Sequence, residues 1–307
     1  MMIIEADRLK KTFGAFTAVD EISFGVAEGS VYGILGANGA GKTTTIRMMC
    51  GLLIPTSGKL IVGGMDAIKQ AESIRKIIGY MSQQFSLYMD LTVKENLEFY
   101  GGLYGLRGDK LRNAINKAIE DLELDRFRNE RAANLPLGFK QRLALASASL
   151  HKPKILFLDE PTSGVDPLTR MKFWSYVRTL VNEFSITAIV STHFLNEAEY
   201  CDSIMLMHEG KIAVDGAPAQ IKKKVSEEIS IYEVSTKNNI EKIYALLNYN
   251  YVLDIYSWGR KYRVTVLKNA VKDLNILLED FNKYIEISGM IEIKPTLEDV
   301  FIRYYRL

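Results

Sequence analysis

The chain has little of what staples or anchors small proteins. It holds two cysteines among 307 residues, Cys50 and Cys201. That is too few for a disulfide framework or a cysteine-rich zinc cluster. Both sit among apolar neighbours and read as buried thiols, which fits a cytosolic setting. No segment approaches the roughly 18 consecutive apolar residues of a membrane span. The opening "MMIIEADRLKKTF" mixes acidic and basic residues and lacks the apolar run of a signal peptide. Any membrane crossing would therefore fall to another chain. The formal net charge is +2 without a strongly basic stripe, so no nucleic-acid partner is expected. Neither an internal repeat nor a low-complexity segment is present.

What is present has the balance of a soluble globular protein, 48% apolar and 25% charged. The length suits one large domain or two modest ones. Short apolar runs such as "SVYGIL", "KILFLDEP" and "ITAIVSTHF" predict buried strands of a mostly parallel sheet in an α/β fold. "SIMLMHEGKIAVDGAP" predicts a hairpin turning at Glu209 and Gly210. From about 85 to 150 the apolar residues recur three or four apart, which predicts a helical insert. Near residue 224 the composition shifts. "ISIYEVST", a helix "NIEKIYALLN", "YVLDIYSW", "KYRVTVL", a helix "AVKDLNILLEDFNK", "YIEISGMIEIKP" and "TLEDVFIRYY" then predict a small α+β domain over 225–307.

"GANGAGKT", from Gly36 through Ala37, Asn38, Gly39, Ala40, Gly41 and Lys42 to Thr43, is a P-loop pattern with a strand before it and a helix after it. Glycines let successive N–H groups point inward at phosphate oxygens, and the helix start adds positive potential. Lys42 would reach the β- and γ-phosphates, Thr43 would offer its hydroxyl to Mg²⁺, and Thr44 is expected among the nucleotide-binding residues. The strand "KILFLDEP" ends on Asp159 and Glu160, and a buried sheet tolerates such charge only at its mouth. Asp159 can hold Mg²⁺ opposite Thr43. Glu160 can orient and deprotonate an attacking water. The bland alternative is a strand cap. His193 ends the next strand at the edge where α/β sheets bind ligands. It is either structural or a γ-phosphate sensor.

The order "KKTFG", "GANGAGKT", "GYMSQQ", "LPLGFKQR", "ILFLDEP", "SGVD", "STH" resembles the ATP-binding cassette ATPases over about residues 3–222. The branch serving ABC-2 type exporters is similar in "LPLG", "LFLDEPTSGVDPLTR" and the ending "P-[ST]-LEDVF". The resemblance implies a P-loop NTPase: a RecA-like core, an antiparallel β subdomain and a helical subdomain within 1–224. It implies that Phe13 stacks on adenine, the alternative being an edge-strand core aromatic. It makes Gln83 the lid glutamine touching Mg²⁺, with Gln84 the alternative register, and His193 the switch histidine. Asp166 would lie at the interface with a second cassette, identical or different.

The family's Leu-Ser-Gly-Gly-Gln signature corresponds here to Leu135, Pro136, Leu137, Gly138 and Phe139. The resemblance turns this helix start toward the γ-phosphate bound by a second cassette. The serine hydroxyl and first glycine are missing, but Pro suits a helix's first turn and the helix start can still hold phosphate. A family variant is favoured over a dead site because Lys42, Asp159, Glu160 and His193 are intact. The implied protein is an ATPase at the cytoplasmic face of a membrane, binding ATP and Mg²⁺ and driving a multi-span permease. The alternatives are a non-hydrolysing regulator and a cassette ATPase acting on ribosome or DNA.

Overall fold

The apolar runs read from the sequence lie side by side in one sheet. The computed structural model describes residues 1–237, 240–270 and 274–305. Its chain divides into two units, Met1–Ala217 and Pro218–Leu307. The first begins with β1 (Met2–Phe13), β2 (Phe16–Ala27), β3 (Val31–Leu35), α1 (Lys42–Met49), β4 (Ser57–Val62) and β5 (Met65–Asp66). There follow α2 (Ala71–Ile77), β6 (Ile78–Met81), α3 (Val93–Leu103), α4 (Gly108–Asp121) and α5 (Leu137–Ser149). It ends with β7 (Ile155–Asp159), α6 (Pro167–Phe184), β8 (Thr187–Thr192), β9 (Ser203–His208) and β10 (Lys211–Gly216).

The main sheet runs β10-β9-β3-β8-β7-β6, parallel except for the β9–β10 hairpin. Glu209 (φ 46°) and Gly210 (φ 78°) form the hairpin turn with both central residues left-handed, the twist such hairpins favour. Every residue of β3, β7 and β8 is buried, as expected of a sheet covered on both faces. Register brings Leu35 opposite Thr192 and Asp159 opposite Ser191, so three strands end at one edge. A second, antiparallel sheet, β2-β1-β4-β5, shares a core with the first through Ile4, Leu9, Val26, Ile34, Ile46, Met49, Phe157 and Ile189. Cys50 and Cys201 are both buried, and burial raises both thiols, Cys201 to about 12.

The helical segment starts at Thr92, whose side chain accepts from Glu95 N–H while Glu95 bonds back to Thr92 N–H. This reciprocal cap fixes where α3 begins. The small residues of "LALASAS" bury α5 from Gln141 to Ser149. They also let β6 approach closely: a Cβ at Gly79 would lie 2.0 Å from the Ala148 carbonyl oxygen.

The second unit comprises α7 (Pro218–Glu228), β11 (Ile229–Thr236), α8 (Ile240–Tyr244), β12 (Val252–Trp258), β13 (Lys261–Leu267), α9 (Leu274–Asn282), β14 (Ile287–Ile293) and α10 (Leu297–Tyr305). The boundary expected at 224 falls inside α7. The predicted start of one helix at Asn239, and residues 271–273 of another, lie outside the described residues. The antiparallel sheet β12-β13-β11-β14 packs one face against Ile243, Leu246, Leu277 and Phe281. The "PTLED" ending has a physical reason. Asp299 accepts from Thr296 N–H (2.7 Å) and hydroxyl (2.6 Å), closing the first turn of α10. The same carboxylate accepts from the Tyr256 hydroxyl and pairs with Arg263 (3.1 Å), whose guanidinium stacks on Trp258 at 3.6 Å.

Removing one member of a buried ion pair strands the other charge, at a cost of about 3–5 kcal/mol. Asp299→Ala is expected to destabilise the second unit by that order, measured by denaturant unfolding followed through Trp258 fluorescence. Asp299→Asn, which keeps the cap acceptor, should cost less.

Candidate functional site

The loop between β3 and α1 is shaped by glycine where no side chain fits. Gly39 (φ 85°) and Gly41 (φ 105°) are left-handed, and a Cβ on Gly41 would lie 2.6 Å from the Ala18 carbonyl oxygen. The hairpin tip braces the loop, with Gly210 N–H donating to the Ala40 carbonyl at 3.1 Å. Lys42 opens α1 and turns its ammonium back into the loop, donating to the carbonyls of Gly36 (2.9 Å) and Ala37 (3.1 Å). It is 4% exposed and pairs with Glu160 Oε1 at 3.2 Å.

Thr43 Oγ1 donates to Asp159 Oδ1 (3.1 Å), and the Ser191 hydroxyl donates to the same oxygen at 2.5 Å. The next residue, Glu160, stands at φ 48°, a conformation disfavoured for any residue with a side chain. Its N–H donates to Ser191 Oγ at 3.0 Å, which holds that conformation against β8. Its second carboxylate oxygen accepts from Gln83 Nε2 at 3.2 Å and lies 3.2 Å from His193 Nδ1. Lys42, Gln83 and His193 thus meet on the Glu160 carboxylate.

A cavity of 420 Å³ opens over the loop, walled by Asn38, Gly39, Gly41, Lys42, Thr43, Thr44, Gln83, Glu160, Ala18 and Phe16. These residues fit the nucleotide and ion expected from the sequence. A buried cation and a helix start face the space a phosphate chain would take. The Thr43 hydroxyl beside Asp159 is an all-oxygen pair of the kind Mg²⁺ prefers.

Other expected residues fall elsewhere. Phe13 does not wall this cavity; Phe16, its cross-strand partner in the β1–β2 hairpin, does. Phe13 is 49% exposed and lies beneath the Lys11 ammonium, so it is not a core aromatic either. Gln83 rather than Gln84 reaches Glu160; the Gln84 carbonyl accepts from Ser82 instead. Asp166 caps α6, accepting from Thr169 N–H (3.0 Å) and hydroxyl (2.6 Å), and these bonds hold its carboxyl below the usual range.

Pro136, Leu137 and Gly138 do not line the cavity; they start α5. Pro136 is the extended cap (φ −57°, ψ 152°), and its carbonyl accepts from Phe139 and Lys140 N–H. The N–H groups of Leu137 and Gly138 belong to the first turn, which has no intrahelical acceptor for them. A Cβ on Gly138 would lie 2.8 Å from Thr169 Cγ2, so a larger residue there would require the Thr169 side chain to shift. Sequence reasoning missed Phe16 and Ser191. A hydroxyl just before the end of the apolar run "ITAIVST" was the available signal for Ser191.

Residues 19–163 match the family described as ABC transporter. The "Probable multidrug ABC transporter ATP-binding protein YbhF" of Escherichia coli (strain K12) is 50% identical over 226 residues, 74% of this chain but 39% of that relative's length. The "Linearmycin resistance ATP-binding protein LnrL" of Bacillus subtilis (strain 168) is 30% identical over 303 residues, 98% of this chain and 97% of the relative. The chain is also similar to the solved dimeric structure of MJ0796, a bacterial ABC transporter cassette, with TM-score 0.65, 27% identity, and 70% and 98% of the two chains covered.

Gly41→Ala is expected to lower affinity for a fluorescent ATP analogue by tenfold or more in an equilibrium titration. The added methyl group meets the Ala18 carbonyl and forces the loop out of its left-handed turn.

Proposed function

We propose, from the premise that the chain belongs to the ABC transporter family, that it binds and hydrolyses ATP to energise a separate membrane-spanning exporter of ABC-2 type. The observation that carries this reading is the convergence of Lys42, Gln83, Glu160 and His193 where three strands end. Such an arrangement positions a water, accepts its proton and stabilises charge developing on a phosphoryl group.

In this reading Lys42 exchanges the loop carbonyls and Glu160 for phosphate oxygens when nucleotide enters. Glu160, freed of its ion pair, is the general base. The oxygen that Lys42 releases, Oε1, takes the proton, while Gln83 and His193 hold the other oxygen, Oε2, and orient the carboxylate; His193 then faces the transferring group. Thr43 and Asp159 would hold Mg²⁺, which supplies charge neutralisation between the β- and γ-phosphates. Phe16 and Phe13 at the hairpin mouth are the candidate adenine platforms.

The start of α5 contributes nothing to this cavity, so its Leu137 and Gly138 N–H groups are free to complete the site of a second cassette. Asp166, one loop away, would lie at that interface, and its capping of α6 would fix the approach of the facing chain. The membrane partner would be a multi-span permease, with the ATPase held peripherally at the cytoplasmic face. Exposed Tyr88, Phe99 and Leu103, close in sequence to Gln83, form an apolar face suited to such a partner. Among the described residues no helix is long and apolar enough to cross a membrane.

The alternative, a regulator that binds ATP without turnover, has the altered signature as its only support and is not favoured by relatives named as transport and resistance ATP-binding proteins. Steady-state hydrolysis with the permease present separates the two. Glu160→Gln is expected to reduce turnover at least a hundredfold while retaining ATP binding, and to shift the chain to a dimer on sizing in ATP. A Glu160→Gln chain that stays monomeric would count against the two-chain site. Pro136→Ser with Leu137→Gly should strengthen ATP-dependent dimerisation about tenfold or more, because a hydrogen bond to a charged group contributes about 1.5–3 kcal/mol.

A further inference from the structure

Outside this site the first unit buries one more acidic side chain that the chemistry above does not use. Glu197 is 0% exposed, in the short helical turn that follows His193. One of its oxygens, Oε1, accepts from the Thr162 hydroxyl and lies 3.3 Å from Arg170 Nε. The other, Oε2, is buried with no hydrogen-bond partner among the described residues. Arg170 stacks its guanidinium on Phe194 at 4.5 Å, and Phe194 is in turn 4.1 Å from the His193 ring.

A buried carboxylate satisfied on one side is a poor device for stability alone, since an apolar residue of similar volume avoids the desolvation cost. Its two side-chain partners, and the Phe194 ring on which one of them stacks, are better explained by where they come from. Thr162 is 1% exposed and stands two residues after Glu160. Arg170 is on α6, one turn after Asp166. Phe194 follows His193 directly. The carboxylate therefore ties together the segments that carry the general base, the interface aspartate and the histidine.

We infer that Glu197 is a positioning residue for ATP hydrolysis: through Thr162 and Arg170 it fixes the Glu160 and His193 segments relative to each other. This rests on the catalytic assignment of Glu160 proposed above. Glu197 is fully buried and does not line the cavity, so its removal should act on the chemical step rather than on binding. Misplacement of reacting groups by about 1 Å can cost on the order of a hundredfold in rate.

The test is Mg-ATP hydrolysis by the full chain, with ATP affinity and thermal unfolding measured on the same samples. Glu197→Gln keeps the size and an acceptor for Thr162 but loses the charge facing Arg170. It is expected to lower kcat about tenfold to a hundredfold, with KM and nucleotide affinity within about twofold of wild type. Thr162→Val should behave alike, and Thr162→Ser, which restores the hydroxyl, should recover wild-type kcat. Wild-type kcat in either Glu197→Gln or Thr162→Val overturns the inference. So does a loss of kcat matched by an equal loss of ATP binding, which marks a merely structural role. Glu160→Gln separates the two claims. Turnover retained there refutes both, whereas an inactive Glu160→Gln beside a fully active Glu197→Gln refutes this one alone.

Discussion

The interaction on which the site depends is the buried contact between Lys42 and Glu160. Each charge would cost several kcal/mol to bury alone, and each is made tolerable by the other and by polar neighbours. Lys42 has two loop carbonyls; Glu160 has Gln83 and His193. In the proposed reading a phosphate chain entering the loop would offer Lys42 a stronger partner and release Glu160 from its ion pair, so that nucleotide entry and the freeing of the base would be one exchange of partners. The positive φ of Glu160, held by Ser191, sets this up, because it turns the carboxylate away from the sheet and toward the loop.

Much of this was legible in the sequence, for identifiable reasons. Buried parallel strands are apolar throughout, so β3, β7 and β8 stood out, and charges at their ends had to lie at the sheet mouth. The glycines of the loop and the Glu209–Gly210 turn announced left-handed backbone. Less legible was anything set by pairing between distant strands. The β1–β2 hairpin decides that Phe16 rather than Phe13 borders the cavity, and local pattern does not carry that choice. Ser191 escaped notice because a single hydroxyl in a buried strand acquires meaning only when register sets it opposite Asp159. The helix α7 was read as a composition shift, since its "KKK" run hides the buried Ile221 and Val225 behind it.

The altered signature also reads differently once its geometry is known. Proline at 136 costs nothing at a helix cap, and the start of α5 at Gly138 packs closely on Thr169. What changes is the chemistry of phosphate contact: a hydroxyl donor is absent, while the first-turn N–H groups and the helix dipole remain. The "PTLED" ending is likewise explained from within its own unit, as a helix cap locked onto Arg263.

The absence of any side chain between β6 and α5 at Gly79 has a mechanical consequence. Two backbones in direct contact resist sliding, because the next residue along either brings a side chain into the gap, yet they can still tilt about the point of touch. Gly79 is therefore a fulcrum for the helical segment, and Gln83 stands four residues along the strand's exit, on the short arm of that lever. A tilt of the outer helices about this contact would be felt first in the loop that carries Gln83 and last in the buried strands behind it.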